Sequence, residues 1–272
     1  MPAFSSIFAA LALFTAAAQA DKRGLTWTYS SSLTHSRNPG VFNNGDGQVV
    51  AIYDYETYAP PSKNGSGGLN FIGMQRCLDC TSSPINQLAA RQKQQKWTTV
   101  FTLNEPDNSG ISPSQAATWY KQNINPLPVK RALPAITSST DAGKGLDWLQ
   151  QMVKACTGCN FDYINLHWYG PDFPTFQKYV EQARSKFPNK QIVISEFALQ
   201  KPPGGQNAQV DFFKQAFAYL DKEAFVQFYF PFVATSPSLL QKNDAAGASF
   251  VGTGSCLYDD NGTPSPVGKL ML

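Results

Sequence analysis

The stretch "TTVFTLNEPD" (Thr98–Asp107) begins as a run of β-branched and apolar residues and ends abruptly on an amide, two carboxylates and a proline. Its first part is typical of a β-strand. Since no strongly polar side chain interrupts it, the pattern favours a strand that is covered on both faces, as strands of parallel sheets are. The polar end is then either an ordinary loop or a strand tip that carries a catalytic acid.

Similar short runs recur along the chain at intervals of roughly 20 to 35 residues, the length of one strand–helix unit. The eight runs are Leu25–Tyr29, Val49–Tyr55, Phe71–Gln75, Thr98–Leu103, Arg131–Ile136, Tyr163–Trp168, Ile192–Phe197 and Val226–Phe230. Strands that alternate with helices predict a parallel sheet, and eight of them predict a (β/α)8 barrel. An open doubly wound sheet is the second possible fold. The first strand is not followed by Gly-x-Gly-x-x-Gly, which argues against its dinucleotide-binding form.

Helix signals fill most of the intervals between these strands. Ser83-Pro84 and Ser112-Pro113 each place a capping residue before a proline and predict helix starts. Helical spacing of apolar residues continues in "GLDWLQQMVKA", "FPTFQKYVEQARSKF" and "NAQVDFFKQAFAYLDK". In contrast, Ser30–Gln48 and Thr57–Leu69 are rich in Gly, Pro, Asn and Ser. We therefore expect the first helices of the barrel to be degenerate.

Composition narrows the class of protein. A length of 272 residues suits one such barrel, and 42% hydrophobic against 15% charged residues provides for a large core. The net charge is only +3 and no basic run occurs, which argues against nucleic acid as a partner.

The N-terminus predicts secretion. An apolar run from Ile7 to Ala18 leads into Ala18-Gln19-Ala20, the small-x-small pattern of signal-peptide cleavage. We expect a signal peptide at residues 1–20 and a single catalytic domain at residues 21–272, although the dibasic pair Lys22-Arg23 would also allow a mature start at Gly24. A membrane anchor is the alternative, but the run is too short to span a bilayer comfortably. The expected location is extracellular or in a cell wall, with no membrane association.

Five cysteines accompany this signal. Two Cys-x-x-Cys pairs (Cys77 and Cys80, Cys156 and Cys159) suit either one zinc site or disulfides, and an oxidising compartment favours disulfides. Cys256 is left over. Acceptor sequences for N-glycosylation at Asn64 and Asn261 agree with the same route.

Two glutamates lie at the carboxyl ends of predicted strands, where (β/α)8 barrels carry their chemistry. Glu105 ends the fourth strand and Glu196 the seventh, 91 residues apart in sequence. Hydrolysis of a glycosidic bond needs such a pair, one carboxylic acid to protonate the leaving oxygen and one carboxylate to attack or to activate water. Taken alone, the triplets Asn104-Glu105-Pro106 and Ser195-Glu196-Phe197 would more often be ordinary loops. Their joint placement at two strand ends favours a glycoside hydrolase.

Polar and aromatic residues at other strand tips complete the predicted site. His167 and Tyr169 are two residues apart on the sixth strand and therefore point to the same side. A Tyr169 hydroxyl there would orient the nucleophile, and His167 would bond a sugar hydroxyl. Flat faces for pyranose rings are expected at Trp27, Tyr53, Tyr55 and Trp168. We expect about half of these aromatics to belong to the core instead.

These residues resemble clan A glycoside hydrolases, and more narrowly glycoside hydrolase family 128, the β-1,3-glucanases with a glycosyl hydrolase catalytic core. The similarity covers most of the chain from Gly24 to Leu270. The specific motifs are "LNEPD", "HWYG" and "SEFA", in this order. Looser matches are "GLTWTY", "VVAIYDYE", "NFIGMQR", "LPAIT" and "LYDDNGTPSPVGKL".

The resemblance implies a retaining β-1,3-glucanase of fungal or bacterial type, without metal or cofactor, acting as a monomer on β-glucan polysaccharide or oligosaccharide. Glu105 would be the acid/base and Glu196 the nucleophile. Asn104 would hold the sugar or its 2-hydroxyl, and Tyr169 would steady Glu196. In a barrel the two Cys-x-x-Cys pairs fall on opposite faces, which favours two local disulfides and leaves Cys256 as a buried thiol.

The chain also departs from the family. Gln75 and Arg76 occupy a strand tip that usually carries tryptophan, and the eighth strand reads "FYFPF" without one. Endo and exo action therefore both stay open. Two other functions remain: a β-glucan-binding protein that hydrolyses little, and a structural wall protein. A serine hydrolase and a chitinase are disfavoured, because Gly-x-Ser-x-Gly and Asp-x-x-Asp-x-Asp-x-Glu are both absent from the sequence.

Overall fold

The computed structural model describes residues 21–28, 37–46, 48–59 and 64–272. The predicted signal peptide at residues 1–20 lies outside this part, as do Tyr29, the expected end of the first strand, and much of the loop that follows it. None of the described helices is both long and apolar enough to cross a bilayer.

A single sheet of parallel strands forms the centre of the molecule. Its strands are β1 (Arg23–Thr26), β2 (Val49–Tyr53), β3 (Asn70–Phe71), β4 (Gly73–Gln75), β5 (Thr99–Asn104), β6 (Lys130–Ile136), β7 (Tyr163–Gly170), β8 (Gln191–Leu199) and β9 (Val226–Pro231). They follow the order β3-β2-β1-β9-β8-β7-β6-β5-β4. Since β3 and β4 are consecutive in the chain, this order runs round a nearly closed ring. The prediction of a (β/α)8 barrel is confirmed, and the open doubly wound sheet is excluded.

The third predicted strand, Phe71–Gln75, is divided in two. β3 pairs with β2, β4 pairs with β5, and only Ile72 separates them. The Ile72 N–H donates to Ile52 O at 2.9 Å, so this residue still belongs to the β2 side of the ring. Gly73 then lets the chain pass Trp97, because a Cβ at this position would lie 2.6 Å from the indole. Sequence periodicity does not show this break, since all residues of the run remain apolar or buried.

Helices cover the outside of the barrel after β4. They are α1 (Leu88–Gln95), α2 (Pro113–Asn123), α3 (Gly145–Ala155), α4 (Phe173–Lys186), α5 (Gly205–Leu220), α6 (Pro237–Asn243) and α7 (Ala245–Val251). Short 3-10 helices occupy Pro39–Phe42, Ile85–Gln87 and Gly268–Met271. In the described residues before β4 there is no α-helix, in agreement with the expected degenerate first helices.

The two serine–proline signals behave differently. The Ser112 hydroxyl accepts a hydrogen bond from Gln115 N at 3.2 Å, and α2 begins at Pro113 as predicted. Ser83 is buried and donates instead to the carboxylate of Glu56, so the next helix begins only at Leu88 after a 3-10 turn. The prediction of a helix start at Ser83 is wrong, because a tertiary partner takes the capping hydroxyl.

Alternate residues of the strands face two separate cores. Nine residues fill the barrel interior: Ala51, Tyr53, Ile72, Met74, Phe101, Ala132, Tyr163, Val193 and Phe230. A larger cluster lies between the strands and the surrounding helices. The interior is therefore a solid support beneath the rim where the strands end, rather than an open channel.

Lys22 and Arg23 close the opposite end of the barrel. The Lys22 ammonium donates to the carbonyls of Leu220, the last residue of α5, and of Asp221 and Glu223 just after it. The Arg23 guanidinium forms an ion pair with Asp221 at 2.9 Å and donates to the Tyr229 hydroxyl at 2.9 Å. Both residues are thus anchors of the fold, and the start of the mature chain stays a prediction.

Four of the five cysteines form two local disulfides, Cys77–Cys80 after β4 and Cys156–Cys159 before β7. The two disulfides lie at opposite ends of the strands, as expected from a barrel. Cys256 is a buried free thiol. Asn64 and Asn261 are exposed, so both predicted glycosylation acceptors are accessible.

Candidate active site

The two predicted glutamates meet at the carboxyl rim of the barrel. Glu105 follows the last residue of β5, and Glu196 lies within β8. One carboxylate oxygen of each, together with a ring nitrogen of His167, lies within 4.8 Å of the others. The Glu105 side chain is 26% exposed and that of Glu196 is 8% exposed. The pair therefore combines one partly open and one enclosed carboxyl group.

Two tyrosine hydroxyls hold the enclosed carboxylate. Tyr55 donates to Oε1 of Glu196 at 2.6 Å, and Tyr169 donates to Oε2, also at 2.6 Å. Such short O–H···O⁻ contacts are charge-assisted and favour the ionised acceptor. They fix both oxygens of Glu196 and thereby the orientation of its carboxylate.

His167 lies between the two glutamates. Its Nδ1 is 3.0 Å from Oε1 of Glu105 and 3.4 Å from Oε2 of Glu196, and its Nε2 is 3.0 Å from the Ser195 hydroxyl. An irregularity in the pairing of β7 with β8 makes this possible, since Leu166 pairs with Ile194 but His167 already pairs with Glu196. The skipped residue is Ser195, so both Ser195 and Glu196 reach the same imidazole.

The backbone at the rim is held in an uncommon conformation. Glu105 has φ 45° and Tyr55 has φ 64°, both in the left-handed region that costs a non-glycine residue about 1 to 3 kcal/mol. The Glu105 N–H donates to Ala135 O at 2.8 Å, which fixes the turn against β6. Asp107 is buried and accepts from Gly145 N at 2.9 Å, tying this turn to the start of α3.

Charges within the site act on one another. Burial raises the pKa of Glu196, and the negative charge of Glu105 adds to this, while His167 and the two tyrosine hydroxyls oppose it. Burial also acts to raise the pKa of Glu105, but the hydrogen bond and charge of His167 together more than offset it, so this pKa is lowered. Burial acts to lower the pKa of His167, and the two glutamates raise it overall. The pKa of each group therefore depends on the charge of at least one of the other two.

Three predicted sugar-binding rings lie elsewhere. Trp168 is 4% exposed and stacks on Phe212 of α5 at 5.5 Å, because neighbours of His167 and Tyr169 on a strand must point away from the rim centre. Trp27 is fully buried and packs edge-on against Tyr258. For these two residues the prediction of a sugar-facing ring is wrong, because neither ring has a free face.

Tyr53 is a further correction. It is fully buried in the barrel interior, and its hydroxyl donates to the backbone oxygen of Ser195 at 2.9 Å. It therefore supports the catalytic rim from below and offers no face to a sugar. Tyr55, two residues later, is partly exposed and packs edge-on against the Tyr53 ring at 5.0 Å.

Asn104 ends β5 directly before Glu105. Its amide oxygen is buried and has no hydrogen-bond partner among the described residues. An unsatisfied buried amide is costly unless a ligand meets it. Its predicted role in holding the sugar stays a prediction.

Some residues of the site had no assigned role in the sequence interpretation. Ser195 could have been found, since it directly precedes Glu196 at a strand tip. Phe250 and Lys144 carry no sequence signal, because α7 and the loop before α3 approach the rim only in the folded chain. Both line a cavity of about 430 Å³ that also contains Glu105 and Tyr169.

A second cavity, of about 590 Å³, has Tyr55 in its wall. Asp54, Glu56 and Arg76 line it, and the Arg76 guanidinium forms an ion pair with Glu56 at 3.2 Å. Burial raises the pKa of Asp54 well above its usual range. One cavity thus includes Glu105 and Tyr169, and the other includes Tyr55, the second tyrosine that contacts Glu196.

Glu105, His167 and Glu196 are also the one group of possible metal ligands that the described part of the chain brings together. Their polar atoms already contact one another and the hydroxyls of Tyr55, Tyr169 and Ser195 in hydrogen bonds. This donor set fits proton transfer and nucleophilic attack at a carbohydrate.

The family model described as "Glycosyl hydrolase catalytic core" matches residues 24–270. A GH128 (subgroup IV) endo-β-1,3-glucanase from Lentinula edodes is 59% identical and superposes with a TM-score of 0.89 over 93% of this chain and 100% of that one. A GH128 (subgroup VI) exo-β-1,3-glucanase from Aureobasidium namibiae is 20% identical, with a TM-score of 0.78 over 94% of this chain and 97% of that one. This second likeness shows the fold alone.

A similarity to a curated protein is more distant. Alkali-sensitive linkage protein 1 of Schizosaccharomyces pombe is 28% identical over 260 residues, which is 92% of this chain. The chain spans only 44% of the length of that protein.

Proposed function

This chain belongs to the family of glycosyl hydrolase catalytic cores, as a glycoside hydrolase of family 128, and on that premise we propose that it cleaves β-1,3-glucan with retention of anomeric configuration. The observation that carries the proposal is the pair of carboxylates at one rim, in which one oxygen of Glu105 and one oxygen of Glu196 are no more than 4.8 Å apart. Retaining enzymes place the two carboxyl groups about 5 to 5.5 Å apart, whereas inverting enzymes need about 6.5 to 9.5 Å for a water.

Glu105 is the general acid and base in this proposal. It is the more exposed of the two carboxyl groups, so a sugar that covers it removes water and raises its pKa towards the protonated state. Its proton goes to the leaving glycosidic oxygen. In the second step the Glu105 carboxylate takes a proton from the attacking water.

Glu196 is the nucleophile. Burial of the carboxyl group alone would favour its neutral form, but the hydroxyls of Tyr55 and Tyr169 stabilise the carboxylate and fix its orientation. A Glu196 oxygen attacks the anomeric carbon and forms a glycosyl ester while the bond to the leaving oxygen breaks. Once Glu196 is esterified its charge is gone, which lowers the pKa of Glu105 and suits its second role as a base.

A cavity beside Glu105 and a second one beside Tyr55 support endo action, since a chain that fills both extends past the cleaved bond in two directions. The relative that is 59% identical is likewise described as an endo-β-1,3-glucanase. Analysis of early products separates the two modes. Endo action releases oligosaccharides of several lengths from laminarin, and release of a single short product would contradict it.

The catalytic roles are tested with three variants on laminarin. Glu105→Gln and Glu196→Gln each lower kcat by about 100-fold or more, since each removes a group that acts in the transition state. Glu181→Gln is the matched control, because Glu181 is exposed on α4 and its carboxylate accepts from Gln177 on the same helix. Wild-type levels of reducing ends in either active-site variant would refute the assignment.

A substrate with a dinitrophenyl leaving group tells the two roles apart. Such a group leaves without protonation, so Glu105→Ala still forms the glycosyl ester and shows a burst, whereas Glu196→Ala forms none. Proton NMR of the first product gives the stereochemistry, and an α-anomer would overturn retention.

Binding without turnover remains the alternative function. It predicts that calorimetry detects laminari-oligosaccharides while wild-type protein releases no reducing ends at high concentration. The hydroxyl contacts to Glu196 favour the hydrolase, because a binding site gains little from a nucleophile held by two charge-assisted hydrogen bonds.

Secretion is part of the proposal, with residues 1–20 as the signal peptide and residues 21–272 as the catalytic domain, acting outside the cell or in the wall. The disulfides Cys77–Cys80 and Cys156–Cys159 support it, since such bonds persist in oxidising compartments. N-terminal sequencing of protein from the culture medium tests it, and protein retained in the cytosol with residue 1 intact would refute it.

A further inference from the structure

Phe250 is an exposed aromatic residue at the edge of the catalytic rim. Its side chain is 48% exposed, and among the described residues only Leu272 is another large hydrophobic residue of comparable exposure. Leu272 lies at the far end of the barrel, next to the backbone that Arg23 binds. An exposed ring beside an active site is where a ligand with an apolar face gains most from covering it.

The ring is one contact away from the nucleophile. Phe250 packs edge-on against Tyr169 with centroids 5.5 Å apart, and Tyr169 donates to Glu196. Phe250 also shares the walls of the 430 Å³ cavity with Glu105. The exposed ring therefore faces the side of the site where the acid lies.

Contacts at both ends of α7 anchor the backbone that carries this ring. Asp244 caps the helix by accepting from Gly247 N at 2.9 Å, and Val251, the last residue, is 2% exposed. The Val251 carbonyl accepts from Lys201 N at 2.9 Å, which ties the end of α7 to the segment after β8. The backbone next to Phe250 is thus anchored at both ends of α7.

Polar groups without partners line the same cavity. The Lys144 ammonium and the Asn108 side-chain amide line it, and within the described part of the chain neither has a hydrogen bond or an ion pair. Asn108 lies three residues after Glu105, and Lys144 directly precedes α3. An apolar platform with a free ammonium and a free amide matches a pyranose, which has an apolar C–H face and a rim of hydroxyls.

We propose that Phe250, with Lys144 and Asn108, binds the glucosyl unit on the leaving-group side of the cleaved bond. The inference rests on the proposed function, because Glu105 protonates the leaving oxygen and the unit attached to that oxygen must then lie on the Glu105 side. The pyranose ring stacks on Phe250, and its hydroxyls bond the Lys144 and Asn108 side chains.

Two substrates isolate this contact. Laminarihexaose places sugar on the leaving-group side, whereas β-laminaritriosyl fluoride has a single atom there and fills only the other side. The ratio of kcat/KM for the hexaose to kcat/KM for the fluoride therefore reports the leaving-group contacts. It does not depend on the concentration of active protein, so partial misfolding of a variant leaves it unaffected.

Phe250→Ala is expected to lower this ratio about tenfold, and Lys144→Met to lower it about threefold. Phe250→Tyr keeps an aromatic face and is expected to restore most of the ratio. Leu272→Ala is the matched control for removal of an exposed apolar side chain far from the site, and its ratio should equal that of the wild type.

Failure of this inference differs from failure of the proposed function. If the wild type hydrolyses neither substrate, the proposed function is wrong. If it hydrolyses both and Phe250→Ala leaves the ratio at the wild-type value, the leaving-group assignment is refuted. Equal falls in activity on the fluoride and on the hexaose leave the ratio unchanged and therefore refute it in the same way.

Discussion

Tyr169→Phe tests how the nucleophile is kept ionised. The substitution removes the hydroxyl that donates to Oε2 of Glu196 at 2.6 Å and keeps the ring that packs against Phe232 and Phe250. A hydrogen bond to a charged group contributes about 1.5 to 3 kcal/mol. At 1.36 kcal/mol per pKa unit, this corresponds to a shift of about one to two units.

The sign of the shift follows from which form loses its partner. The Tyr169 hydroxyl bonds the carboxylate form of Glu196, so its loss raises the pKa of Glu196 further above the ordinary value. Glu196 is only 8% exposed, so solvent replaces the lost donor poorly. The acid limb of the kcat/KM profile is therefore expected to move to higher pH by about one to two units.

The assay is kcat/KM on a soluble laminari-oligosaccharide across the acidic and neutral range. Tyr55→Phe should behave in the same way, because its hydroxyl serves the other oxygen of Glu196 at 2.6 Å. Tyr120→Phe is the control, since this hydroxyl donates to Asn160 O at 3.3 Å, far from the rim. An acid limb that stays in place or moves to lower pH, or an equal shift in Tyr120→Phe, would refute the reasoning.

Three further predictions concern stability, positioning and reactivity. A chain lacking Lys22 and Arg23 should lose about 3 to 6 kcal/mol of unfolding free energy relative to one that begins at Asp21. The reason is that the charged donors to the Leu220 carbonyl and to Asp221 are lost. Equal Tm values of the two chains in calorimetry would contradict this. Ser195→Ala should lower kcat about tenfold with little change in Tm, since His167 loses the partner of Nε2, and an unchanged pH–rate profile and kcat would count against it. Burial raises the pKa of Cys256 to about 12, so Ellman's reagent should detect no thiol in native protein and one after unfolding; a fast native reaction would exclude the buried thiol.

Much of the fold could be predicted because the pattern is local. Each strand of a parallel barrel is a short apolar run, and apolar residues recur every three to four positions in the helices between the strands. A short stretch of sequence therefore suffices to predict a strand such as Thr99–Asn104 or a helix such as Gly145–Ala155. The division of the third strand at Ile72 could not be predicted, because the apolar pattern continues across it. Only the folded chain shows that the two halves pair with different neighbouring strands.

The site divides in the same way. Glu105 and Glu196 could be placed at one rim because parallel strands end on the same side of the sheet, whatever their separation in sequence. The same rule predicted too many aromatic residues with a ring that faces the sugar. Tyr53, Trp27 and Trp168 lie close to strand tips, but the pleat and the packing of neighbouring helices turn their rings into the two cores.

The sequence by itself determined the barrel, the two carboxylates and the order of the motifs, because these depend on local periodicity and on the common direction of the strands. Only the tertiary structure decided what surrounds the carboxylates. The skipped residue in the β7–β8 pairing brings Ser195 and Glu196 to one imidazole, and α7 carries Phe250 to the rim from a distant part of the chain. Such contacts join residues that no periodic pattern relates, so only the packing of the whole chain specifies them.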